Sequence, residues 1–185
     1  MTHPQNPQLK MMVYASLFAA LTVVGAYIAI PFPFSPVPIV LQNLFVLLAG
    51  LLLGKKWGTA SVAIYLLAGA AGLPVFAGGT GGIGHFAGPT GGYLLGFIPA
   101  VFVVGALGGR KNNGALIDAL AMTAGSLIIY ATGIFWLQLH TGFSLSKTIM
   151  VGMAPFIPGD VLKITAALFI AKKLRPVIHL HNDPS

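Results

Sequence analysis

Apolar residues run along this chain in six long blocks, at about 11–30, 37–53, 58–74, 92–109, 114–139 and 158–174. Short polar, proline-rich or glycine-rich stretches separate them. A helix that crosses a bilayer needs roughly 20 apolar residues, within a range of about 17–25. The pattern therefore predicts an all-α membrane protein, a six-helix bundle, folded as a single membrane domain over residues 1–185. The shorter blocks imply local thinning of the bilayer or burial inside the bundle. The run Met11–Ile30 is longer than the apolar core of a signal peptide, about 7–15 residues. The stretch IPFPFSPVP follows it in place of a cleavage site, so it reads as a retained first helix. Prolines 31, 33, 36 and 38 make the first outer connector stiff and extended, either a lid or a rigid turn. The apolar run Thr148–Phe156, in the connector 141–157, predicts a short helix in the outer interface.

Charge placement fixes the orientation. Lys10, Lys55, Lys56, Arg110, Lys111, Lys172, Lys173 and Arg175 all fall on one side of a six-span topology, the cytoplasmic side by the positive-inside rule. Both termini are then cytoplasmic, and the opposite connectors carry only Lys147. Five or seven spans would scatter these cations over both faces. Composition agrees: 56% of residues are hydrophobic and 7% are charged, against about 25% charged in a soluble domain. The net charge of +7 reflects topology and anionic lipid, not nucleic acid. With no cysteine, disulfides and thiolate metal sites are excluded.

The stretch FAGGTGGIGHFAGPTGGYLLGF, residues 76–97, contains a chance G-x-G-x-x-G at Gly79, Gly81 and Gly84. A dinucleotide site needs a preceding strand, a helix start and an acid about 20 residues on, and none is present. GLLLGKKW likewise lacks the spacing and Ser/Thr of a phosphate loop, so the chain should not hydrolyse ATP itself. The topology puts the glycine loop on the outer side, between the third and fourth helices. Irregular backbone at membrane depth is tolerated where it lines a cavity or is buried in protein. Thr80, His85, Phe86, Thr90 and Tyr93 are candidates to cap a small-molecule pocket. Close loop–helix packing through Gly88, Gly92 and Gly96 is the other reading, and the two can coexist.

Only three acids exist: Asp118, Asp160 and Asp183. Asp183 sits in the tail. Asp118 suits the positive start of the fifth helix. Asp160 and Lys163, in PFIPGDVLKI, are three apart and share a helix face. Ionisable groups within membrane segments usually face an interior or a water-filled cavity. They can anchor a ligand, Lys163 taking a carboxylate and Asp160 accepting N–H groups; otherwise Asp160 caps the helix and Lys163 snorkels. Gln42 and Asn43 add amides suited to a urea or amide ligand, or to bonds between helices. About 100° separates neighbours on a helix, so one of them, Asn43, is expected in the pocket. Ala15 and Ala19, like Ser16 and Ala20, make a small-residue face for close contact, internal or with a partner. His179 and His181 form a solvated tail, and no metal site is expected.

Together VPIVLQN, GGTGGIGHFAGPTGGYLLGF and PGDVLK resemble the BioY family, the biotin-specific S components of energy-coupling factor (ECF) vitamin transporters. The resemblance covers nearly the whole chain. It implies a biotin-binding subunit of an ATP-driven uptake transporter in the bacterial plasma (inner) membrane, loaded from the outer side. It implies an ECF transmembrane coupling subunit and ATPase subunits as partners, with ATP used only by the latter and no cofactor on this chain. Asp160 and Lys163 look like polar ligand contacts, with Asn43 and Tyr93 beside them. Ala15 and Ala19 look like the docking face. Competing readings are a passive channel or facilitator for a small solute and an S component for another vitamin. An intramembrane enzyme fits poorly, because the spans hold no His–acid constellation.

Overall fold

A computed structural model describes residues 6–110 and 113–179. Helix α1 spans Pro7–Tyr27. It starts earlier than its apolar block because the Asn6 side chain accepts a bond from Gln8 N and Pro7 fits the first turn. It ends at Tyr27 because the chain then enters a two-stranded antiparallel ribbon, β1 (Ala29–Ile30) paired with β2 (Ile39–Val40). The proline-rich connector is the tip of this ribbon, and the second helix accordingly starts at Gln42 rather than 37.

Helix α2, Gln42–Ala70, is interrupted at Gly54, where φ is +73° and ψ 178°. It is not a continuous rod. Gln42 Nε2 donates to Tyr65 Oη at 2.7 Å; an unbroken helix would hold those residues about 35 Å apart. A Cβ on Gly58 would meet Ala49 and Gly50, so residues 55–70 fold back along residues 42–53. The two predicted blocks, 37–53 and 58–74, thus join through a single residue. The second stops at Ala70, and residues 71–90 form the glycine-rich loop, with a 3-10 turn at Ile83–Ala87.

Helix α3 is Gly91–Leu107 and α4 is Ala115–Thr141. They pack with little between them: a Cβ on Gly92 would run into Trp136 and the Thr132 carbonyl, and one on Gly96 into Thr132. Gly92 and Gly96 are therefore helix-packing residues. A short helix α5, Leu145–Gly152, and a 3-10 turn, Ala154–Phe156, occupy the connector between α4 and the last helix. Helix α6, Ile157–His179, runs past residue 174. Its extension carries Arg175, whose Nη2 donates to Asp118 Oδ2 at 2.6 Å; Asp118 Oδ1 accepts from Gly109 N at 2.9 Å. Asp118 is thus a buried tie between the α3–α4 turn and α6.

Among the described residues, four stretches are long and apolar enough to cross a membrane, and Gly91–Leu107 is a shorter apolar helix. Leu17, Leu139, Leu162 and Phe169 expose more than half their surface, as lipid-facing side chains do. Ala15 and Ala19 point the other way, at 1% and 5% exposure, into the core. Of the small residues on α1, Ala15 and Ala19 pack internally in this chain, while Ser16 and Ala20 beside them are exposed. Lys111, His181 and Asp183 lie outside the described residues, as does the side chain of His179.

Candidate functional site

The start of α6 places Asp160 and Lys163 one turn apart on its inner face, beside the start of α2. Lys163 Nζ lies 3.0 Å from Asp160 Oδ1 and 3.0 Å from Asn43 Oδ1. Asn43 Nδ2 closes the ring by donating to Asp160 Oδ1 at 3.0 Å. Both charged side chains are about nine-tenths buried, 9% exposed for Asp160 and 10% for Lys163. Neither capping nor snorkelling describes them: Lys163 turns inward. From α4, Tyr130 donates its hydroxyl to Asp160 Oδ2. Four side chains from three helices thus form one network with no net charge.

This network closes the end of a partly open cavity, whose space together with its open mouth is about 690 Å³. Its walls are largely apolar: Leu94 and Phe97 of α3, Ile129 of α4, and Phe156 after α5. Val37, Pro38 and Val40 of the ribbon cover one flank.

The glycine loop roofs the cavity through His85, Thr90 and Ala77. His85 Nδ1 lies 3.3 Å from Thr80 Oγ1, and Nε2 lies 3.3 Å from Thr90 Oγ1. The imidazole stacks on Phe76, centroids 5.0 Å apart, and partial burial holds its pKa below the ordinary histidine value. Phe76 is fully buried and also meets Phe86 and Tyr65 edge-on. Trp136 Nε1 donates to Gly88 O at 3.0 Å, and Tyr27 Oη to Pro74 O at 2.6 Å. The loop is pinned from α4, from α1 and from its own aromatic centre.

Of the residues singled out in the sequence, Asn43, Gln42, Asp160, Lys163, His85, Thr90 and Tyr93 line the cavity together. Gln42 and Asn43 both reach it, but the Gln42 amide is engaged by Tyr65, and Tyr93 donates its hydroxyl to Gly152 O at 2.9 Å. Thr80 and Phe86 stand behind the lining, supporting His85 and Phe76. Sequence reasoning missed Tyr130 and Ser126, both on the wall. Their signal was the i,i+4 spacing of two hydroxyls in GSLIIYATG, deep in an apolar helix. Among the described residues no cluster of three or more metal-ligating side chains occurs.

The BioY family profile matches residues 1–179. The chain is similar to the biotin transporter BioY of Thermotoga maritima, at 46% identity over 90% of this chain and 96% of that one. It is similar to the biotin transporter BioY of Rhizobium etli, at 41% over 87% and 90%. Its structure superimposes on a crystal structure of the S-component for biotin from an ECF-type ABC transporter. The TM-score is 0.85 and the identity 32%, over 95% of this chain and 94% of the other.

Proposed function

This chain belongs to the BioY family, and from that premise we propose that it is the biotin-binding subunit of an ATP-driven vitamin uptake system in a bacterial plasma membrane. The observation that carries the reading is the neutral Asn43–Asp160–Lys163–Tyr130 network at the end of an otherwise apolar cavity. Biotin has an apolar sulfur ring, a ureido group and a carboxylate tail. Because Asp160 already balances Lys163, this end of the cavity favours an uncharged group with both donors and acceptors, the ureido group, over a carboxylate. The tail then lies toward the opening, beneath His85 and Thr90.

Six spans, with both termini cytoplasmic, are supported by the reversal at Gly54, which turns α2 into two antiparallel halves. With α1, α3, α4 and α6 these make six. Lys55, Lys56, Arg110, Lys172, Lys173 and Arg175 then share the cytoplasmic side, and the cavity opens on the other. The curated relatives are named biotin transporters and the solved neighbour is an ECF S-component. On that ground the chain works with a membrane coupling subunit and ATPase subunits, and needs no cofactor of its own. The small residues left for a membrane partner on α1 are Ser16 and Ala20.

Titration of the purified protein with biotin, thiamin, riboflavin and lipoate tests the reading. Saturable binding of biotin alone is expected, and equal or absent response to biotin would overturn it.

A further inference from the structure

Ser126 stands apart from the other hydroxyl residues of α4. Thr123, Thr132 and Thr141 return their hydroxyls to backbone carbonyls of Ala119, Ile128 and Leu137, at 2.8–3.0 Å. Ser126 makes no such bond: its Oγ is buried with no hydrogen-bond partner, in a residue only 7% exposed. Thr59 and Ser61 also carry unpartnered hydroxyls, but neither lines the cavity. Ser126 does, and it also lines a small recess shared with Asn43, Asp160 and Lys163. An unpaired hydroxyl away from water is costly, and the cost vanishes when a partner arrives.

None of the four network side chains bonds Ser126. Asp160 is held by three donors, and Asn43 Oδ1 is occupied by Lys163. Ser126 Oγ keeps both its donor and its acceptor capacity. We propose that Ser126 is a ligand-binding residue whose hydroxyl hydrogen-bonds the ureido group, adding to selection for an uncharged donor–acceptor head. The inference rests on the proposed reading of the cavity.

The test compares wild-type protein with Ser126→Ala and Ser126→Cys, the latter similar in size but a weak hydrogen-bonder. Full-length protein in detergent is titrated with biotin and with biotin methyl ester, and the ligand-free melting temperature is recorded. Ser126→Ala should bind biotin about tenfold more weakly, and Ser126→Cys should shift in the same direction. The methyl ester should lose by the same factor, because the tail is not the partner. Ligand-free Ser126→Ala should melt at or above the wild-type temperature, since an unsatisfied group has been removed. A merely structural hydroxyl would instead lower that temperature and leave affinity intact. Unchanged biotin affinity in both variants overturns the inference alone, and a loss that disappears with the ester overturns the ureido assignment. Wild-type protein that ignores biotin overturns the reading of the cavity, and this inference with it.

Discussion

At the scale of single residues, the Asp160–Lys163 pair carries the largest electrostatic stake. Removing one member of a buried pair strands the other, at a cost of about 3–5 kcal/mol. Lys163→Met should therefore lower the melting temperature and reduce biotin affinity by at least about a hundredfold. The double variant Asp160→Asn/Lys163→Met should regain stability over the single one while still failing to bind. Thermal unfolding and calorimetric titration of both variants check the two halves of this prediction. The pair was legible in the sequence because two opposite charges three residues apart stand out in an apolar helix. Tyr130 and Ser126 were not: a serine hydroxyl in such a helix satisfies itself on the backbone as readily as it turns inward, and a tyrosine reads as one more apolar ring until its hydroxyl is seen to meet Asp160. Only the approach of α4 to α6 decides either case. Arg175 was missed as the partner of Asp118 for the same reason: it read as one more cytoplasmic cation, and 57 residues separate the two.

Elements add constraints no single side chain carries. Gly92 and Gly96 let α3 lie against α4 with no room for a Cβ. Gly96→Val should force the helices apart, costing about 1–3 kcal/mol or more by overpacking. It should also reduce biotin binding, because Tyr93 and Phe97 on α3 form the wall. Loss of folded yield, measured by gel filtration in detergent, checks the first part. The glycine loop has a different sensitivity. Burial lowers the His85 pKa, so the unfolded loop takes up a proton first as pH falls below about 6.5. The stability contributed by the neutral, threonine-bonded imidazole is complete above that value and declines as pH drops through the lowered pKa. Hydrogen exchange in residues 76–90, corrected for its intrinsic pH dependence, should be less protected at pH 5 than at pH 7.5. His85→Gln should flatten the difference. The apolar blocks made α1, α3 and α4 visible in the sequence to within a few residues. The ribbon was hidden because two-residue strands leave no period, and proline spacing alone signalled only stiffness.

For the whole molecule, the decisive contrast is between a closed binding site and a conduit. The ion-paired network closes one end of the cavity, and the core beyond it is packed with Leu47, Met122 and Val104. Proteoliposomes holding this chain alone should therefore bind biotin without carrying a steady, ATP-independent flux of small neutral solutes. Such a flux would favour a facilitator. Cation placement bears on topology through a sum over connectors, which contact geometry does not alter. The antiparallel turn at Gly54 accords with the six-span reading, although the apolar blocks suggest a longer link.

That one-residue turn has a mechanical consequence. With no slack between them, and with Gln42 latched to Tyr65 across the seam, the two halves of α2 behave as a single strut. Any opening that admits or frees a guest then falls to parts on longer tethers: the ribbon tip at 31–38, the roof over residues 71–90 or the segment 142–156.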